Sequence, residues 1–433
     1  MAARNSFTYT LRRAALLIAA ATFFLPSLFF SVLRIAAADT GYLKLHFIDV
    51  GQADATYIEF PDGKNMIIDA GYSAGYNGKL IEYLDKEVKG VKGFDYVMLT
   101  HSDADHCNGL SELLAKYPVK EGGRVYRPNE EATRAANMTS PYTDPAADKT
   151  GFEGFWGGSH GTVHNTVTYK NAIERMYAQT AYTGGKAEIW VTDATPLAIP
   201  KKVLGNTLTL YTGMDFYGGA NANGKLDNAD YAVRFYAPTK SYYADVNNYS
   251  PVFTVNYRGH RALISGDAEK EAEAEFVRAA NAGLFDFHAG EEITKNGVNV
   301  IKLGHHGSST SSSKDYLNIV LPSDNSNTYA IASANRNGNN YNHPHTATLN
   351  RLTNDFGLEP ENILVTEQLG SIVITFCADG VIYGDGGEKE QPEQKEKEAP
   401  KPSSCADIRR RIFGTVVVFV FVSGVFAKRR GHK

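Results

Sequence analysis

Two imidazoles and two carboxylates fall within six positions, His101-Ser102-Asp103-Ala104-Asp105-His106, directly behind the apolar run 96–100. That run reads as a buried strand, and the polar turn at its carboxyl end is where open α/β sheets carry chemistry. Leu110, Leu113 and Leu114, at helical spacing, predict a helix immediately afterwards. Carboxylates alternating with imidazoles suit zinc, manganese or iron, and a turn lets such side chains converge on two adjacent ions. A polar helix cap is the plain alternative. Four ligand-type residues behind a buried strand weigh against it.

The flanking sequence predicts two halves of similar build. In the first, strands at 42–50, 54–60 and 65–68 are joined by the turn Pro61-Asp62-Gly63-Lys64. In the second, strands at 252–257 and 262–264 precede a helix at 269–280, followed by strands at 298–303, 329–333 and 363–366. A closing hairpin turns at Asp379-Gly380. The pattern predicts an α/β protein in which two sheets pack together with helices outside. Residues 116–248, rich in Gly, Tyr, Asn and Thr, are too long for a bare loop and predict a long insertion with structure of its own between the halves.

Several segments, in order, resemble the metallo-β-lactamase superfamily, in the variant where aspartate takes the place of the second histidine, as in the hydrolase domain of the ComEC competence DNA-uptake family. They are His46-Phe47-Ile48-Asp49-Val50-Gly51-Gln52-Ala53-Asp54-Ala55, Ile67-Ile68-Asp69-Ala70-Gly71, the His101–His106 cluster, Leu263-Ile264-Ser265-Gly266-Asp267, Ile301-Lys302-Leu303-Gly304-His305-His306-Gly307-Ser308 and Asn342-His343-Pro344-His345. The resemblance implies a four-layer αβ/βα sandwich. It implies His101 and Asp103 on one divalent ion, Asp105 and His106 on a second, Asp267 bridging, and His305 completing the set of ligands on the second ion, with His306 nearby as ligand or substrate contact. Zinc is the first expectation for both ions, manganese the second. Asp49 and Asp54 would orient ligands from behind, unless they only stabilise the Gly51-Gln52 corner. The middle histidine of many superfamily members has no counterpart; Asn247-Asn248-Tyr249-Ser250 fills that region. Cys107 reads as a small buried side chain.

The two ends suggest export. Arg4, Arg12 and Arg13, the apolar run 14–33 and Ala36-Ala37-Ala38 have the three parts of a secretory signal, giving cleavage after residue 38. The hydrolase domain then spans 39–385, a charged and Pro-containing spacer 386–408, and a basic-flanked apolar segment within 409–433 a membrane anchor. The expected location is the extracellular face of the cell membrane. Three cysteines supply no disulfide framework. A net charge of -4 gives no footprint for nonspecific nucleic-acid binding.

The expected activity is hydrolysis of a phosphodiester, in DNA or a cell-wall polymer, by a metal-bound hydroxide. Asp105, His306 and His343 are the expected catalytic residues, with His343 contacting a phosphate or donating to a leaving group. A phosphorylcholine esterase is the alternative, with Trp156, Trp190 and nearby tyrosines caging a quaternary ammonium. A non-catalytic binding module on a decayed hydrolase fold is a third reading, and no protein partner is inferable. Asp103 disfavours β-lactam hydrolysis.

Overall fold

The computed structural model describes residues 41–384, apart from 77, 129–165, 180–186, 193–206, 211–214, 220–229, 239–242, 284–292, 336–339 and 379. Its first strands form where apolar residues alternate. Leu43, Leu45 and Phe47 on β1 (Leu43–Phe47) point to one face and are fully buried, as period-two alternation requires. β2 (Thr56–Glu59) and β3 (Asn65–Ile68) complete a meander. The turn between them closes through Phe60 N–H to Lys64 O at 2.9 Å, with Gly63 at φ 78. β4 (Phe94–Met98) then lies parallel to β3, in register Met66↔Tyr96.

The long stretch after residue 116 feeds both sheets. β5 (Val119–Pro128), β6 (Glu188–Thr192) and β7 (Thr207–Leu210) extend the first sheet in parallel beyond β4. β8 (Asp215–Gly219) and β9 (Asp230–Ala237) form the edge of the second. That sheet continues through β10 (Val252–Tyr257), β11 (His260–Ile264), β12 (Val300–Lys302), β13 (Tyr329–Ala332) and β14 (Ile363–Val365). The closing hairpin, β15 (Ile372–Cys377) and β16 (Gly380–Gly384), crosses back to the first sheet, where β15 pairs antiparallel with β1 in register Leu45↔Ile374.

Each sheet buries both faces. Between the sheets, Leu45, Phe47, Ile58, Met66, Met98, Ile372 and Ile374 of the first meet Val233, Phe235, Phe253, Val255, Ile264, Val300 and Ile331 of the second. On the first sheet's outer face, Ile67, Val97 and Val125 pack against α1 (Leu110–Lys116) and α2 (Val167–Tyr177) through Leu113, Tyr169, Ile173 and Met176. On the second's outer face, Leu263, Ile301 and Ala330 pack against α3 (Lys270–Asn281) and α4 (Lys314–Val320) through Phe276, Tyr316 and Leu317. Helix, sheet, sheet and helix make the expected αβ/βα sandwich.

Three of these strands deliver polar residues at their carboxyl ends: β4 runs into His101–His106, β11 into Asp267, and β12 into His305 and His306. Gly266 makes the second of these turns possible. It sits at φ +48, and a Cβ there would lie 2.9 Å from both Ser250 Oγ and Thr100 Cβ.

Among the described residues no helix is long and apolar enough to cross a membrane. That overturns the expected membrane-face location with its C-terminal helical anchor. The apolar runs 14–33 and 412–427 behind it lie outside the described residues, as does the spacer.

Phe253 is fully buried between the sheets. Phe253→Ala is expected to lower unfolding free energy by about 3–5 kcal/mol, read from chemical denaturation, because the cavity cannot collapse between two sheets.

Candidate metal centre

The histidines are oriented from behind. His106 donates from Nδ1 to Asp69 Oδ2 at 2.7 Å, and the same carboxylate accepts from the backbone N–H and hydroxyl of Thr100, both at 2.8 Å. Because the Thr100 hydroxyl is spent on Asp69, its oxygen is left to accept from His101 Nδ1, 3.1 Å away. His305 donates from Nδ1 to Glu269 Oε1 at 3.0 Å, and His306 from Nδ1 to Ser333 O at 2.7 Å. All four rings thus commit Nδ1 to an outer partner, which presents Nε2 inward as metal-ligating histidines require.

Inside, the distances are short. His306 Nε2 is 3.1 Å from Asp105 Oδ2 and 3.4 Å from Asp267 Oδ2, while His106 Nε2 is 3.3 Å from Asp267 Oδ1. One ligand atom from each of Asp105, His106, Asp267 and His306 lies within 4.8 Å of the others. Beside this group, His101 Nε2 is 3.6 Å from Asp103 Oδ2 and 4.0 Å from Asp267 Oδ2. His101 Nε2, His106 Nε2 and Asp267 Oδ1 are buried and, apart from these charge contacts with one another, make no well-formed hydrogen bond. Leaving such atoms unmatched is costly, and a divalent cation would match all three, so the donor set fits metal.

The electrostatics agree. Burial disfavours the charged forms throughout, yet the charges outweigh it. Asp267 and Asp69 hold the His106 pKa well above its usual value, and His106 and His306 hold Asp267 and Asp105 well below theirs. Against the same burial, Asp267 and Asp105 raise His306 to about 10. Without metal the carboxylates thus draw protons onto the rings, and a cation would take their place.

Three expectations need correction. His306, not His305, joins Asp105 and His106; His305 Nε2 faces Asp267 Oδ2 from 3.8 Å and its other nitrogen is held by Glu269. The cause is local: His305 and His306 occupy the left-handed region in succession, at φ 50 and φ 55, which sends neighbouring rings apart. Asp49 orients no ligand. It accepts from Gly51 N–H at 3.2 Å and faces Lys79 Nζ at 3.4 Å, stabilising the corner instead. His343 is poorly suited to donating a charged proton near neutral pH, because burial and the neighbouring His306, His305 and His345 push its pKa down to about 4.

Asp54 is buried behind the centre, in a pair with Lys302. Ser250 lies against His101 Nδ1 at 3.3 Å and accepts from Asp267 N–H, while Asn248 Oδ1 accepts from Glu269 N–H and Ala272 N–H at the start of α3. The segment in place of the missing histidine therefore buttresses the site. Cys107 is buried, its thiol donating to Ser102 O. Sequence reasoning missed the roles of Asp69, Glu269, Thr100 and Gln52. Asp69 had a signal: an aspartate ending a buried strand one position before Ala70-Gly71. Trp156 and the side chain of Trp190 lie outside what is described.

Residues 48–184 match the family model described as the metallo-beta-lactamase superfamily. Over those residues the chain is similar to that superfamily, and the described sheets and helices form the αβ/βα sandwich that the similarity implies. The comparisons do not confirm the finer resemblance to the DNA-uptake family. A comparison with curated proteins gave no match. Similar solved structures include CmlA, a diiron β-hydroxylase from Streptomyces venezuelae, at 11% identity and TM-score 0.37, covering 77% of this chain and 54% of that one. This chain thus spans about half the length of that relative. The short form of human tRNase Z is similar at 12% identity and TM-score 0.30, over 60% of this chain and 76% of that one. The metallo-beta-lactamase SMB-1 is similar at 11% identity and TM-score 0.29, over 66% and 94%.

Asp69→Asn keeps the shape but weakens the acceptor behind His106. It is expected to lower zinc affinity about 10–100-fold, measured by competition with a chelator. Glu269→Gln is expected to have a smaller effect, since His305 stands outside the tight group.

Proposed function

We propose that this domain is a two-metal phosphodiesterase of the nuclease type, with zinc the first expectation and manganese the second. The observation that carries this reading is the convergence of Asp105, His106, Asp267 and His306, whose buried ring nitrogens and carboxylate oxygens all face one another. His106, Asp105 and His306 would hold one ion, and His101 and Asp103 the other, with Asp267 between them. His305, whose Nε2 faces Asp267 Oδ2 from 3.8 Å, would supply the ligand that the missing histidine does not. When bound, two such ions supply a water nucleophile at neutral pH and positive charge for phosphoryl oxygens.

The chain's own residues add a hydrogen-bond donor. Gln52 Oε1 accepts from Asn335 N–H at 3.1 Å, which turns its amide nitrogen toward His343 Nδ1, 3.1 Å away. His343 Nδ1 therefore accepts, and the ring hydrogen sits on Nε2. A neutral imidazole in that tautomer can donate to a phosphoryl oxygen without titrating near pH 7. Its ring stacks with His306 at a centroid distance of 6.0 Å, and Tyr341, largely exposed, stacks on it at 5.8 Å. His343 thus stands between the metal centre and solvent, where a substrate's phosphate would enter. The carboxylate at 103 gives the donor set one more negative charge than an all-imidazole first site.

The purified domain, loaded with zinc or manganese, is expected to hydrolyse bis(4-nitrophenyl) phosphate and DNA, to lose activity to a chelator, and to regain it with metal. Inactivity on both substrates in a protein that has taken up metal would sink the proposal. Asp267→Asn is expected to lose metal and activity while staying folded by circular dichroism. His343→Ala should keep its metal and lose about 100-fold in kcat, the usual cost of one charge-stabilising donor. Gln52→Ala should follow in the same direction, with a smaller loss.

A further inference from the structure

Behind the metal centre lies a second group that looks like a cation site. One oxygen each of Asp54 and Asp69 and a ring nitrogen of His106 lie within 4.8 Å of one another, all three residues buried. Two carboxylates cannot remain ionised in such an interior without positive charge nearby. The protein supplies it. Lys302, only 1% exposed, reaches across from the last position of β12 and ion-pairs with Asp54, which is 2% exposed.

We propose that Lys302 is a positioning residue, a built-in cation that pairs with Asp54 beside Asp69, takes the place of a further metal ion there, and fixes the carboxylate pair against which His106 is aimed. The inference rests on the metal reading above. The topology supports it: Asp54 and Asp69 belong to the first sheet's half, whereas Lys302 comes from the second and stands three and four residues before His305 and His306. One ammonium group therefore ties Asp54 of one half, neighbour to the carboxylate that aims His106, to the ligand-bearing strand of the other. Burial pushes Lys302 toward its neutral form, but Asp54, Asp267 and Asp69 outweigh it and raise its pKa above the ordinary lysine value. A tethered ammonium fills the pocket at every metal concentration, which a free ion cannot do.

The test uses cobalt(II) as a probe, titrated into metal-free protein and followed by its visible absorption bands. Lys302→Met is expected to weaken cobalt binding about 10–100-fold, the scale found when a ligand's outer partner is lost. The double variant Lys302→Met/Asp54→Asn removes the orphaned charge together with its partner. It should bind cobalt within about threefold of wild type, with the wild-type band pattern. A role limited to filling space would not be rescued by the second substitution. If the single variant does not fold, the double variant decides: recovery of fold and cobalt binding supports the proposal, and failure of either overturns it. Unchanged cobalt affinity in Lys302→Met would also overturn it while leaving the metal reading intact. A wild-type protein that takes up no cobalt, zinc or manganese would remove both.

Discussion

The negative charge of Asp267 is the constraint around which the domain is arranged. It sits in the turn after β11, buried at the carboxyl edge of the sheet, with His106, His306, His101 and His305 all facing its two oxygens from 3.3 to 4.0 Å. A carboxylate in that position is tolerated only if positive charge is brought to it. The loops after β4 and β12 exist in the required form for that reason. The glycine before Asp267 and the left-handed pair at His305-His306 are local conformations that make the approach possible. The centre thus accounts for backbone features that packing alone would not require.

A gradation of buried charge runs outward from that point. Asp267 and Asp105 face the space where ions fit. Asp69 and Glu269 stand one step back and aim rings, and Asp54 with Lys302 stands behind Asp69. Each step pairs opposite charges, so no layer leaves a net charge unmet in the apolar interior. The thiol of Cys107 and the amide of Asn248 complete the same region with ordinary structural hydrogen bonds.

Much of this was legible in the sequence, and the exceptions have physical causes. Segments with clean period-two or fully apolar character, such as Asn65–Ile68 and Val252–Tyr257, form strands with the expected bounds. The first expected strand, 42–50, ends early at Phe47, because Ile48 N–H bonds to Ala55 O in a turn and Asp49 begins the Gly51 corner. The hairpin at the end reads as part of the second half by position, yet pairs with β1; no local pattern tells a strand which sheet it joins. Candidate ligands were visible as residue types, but which of two adjacent histidines turns inward depends on φ at two positions, and the sequence carries no sign of that. Lys302 reads as an interruption in an apolar strand until its partner, 248 positions away, is placed against it.

The pairing of β1 with β15 has a consequence for how the chain reaches this structure. Leu43 lies opposite Phe376, so the first sheet joins residues more than 300 positions apart, and its central meander has an open edge until the last hairpin arrives. Closing a loop of that length is entropically costly and delays the contacts that reward it, which places the domain among slow folders. During synthesis, the amino-terminal half would wait with β1 unpaired on one side until β15 had left the ribosome. An uncovered strand edge of that kind is a template for pairing with another chain. Lys44, half-buried on the face of β1 opposite Leu43 and Leu45, is the kind of residue that limits such pairing.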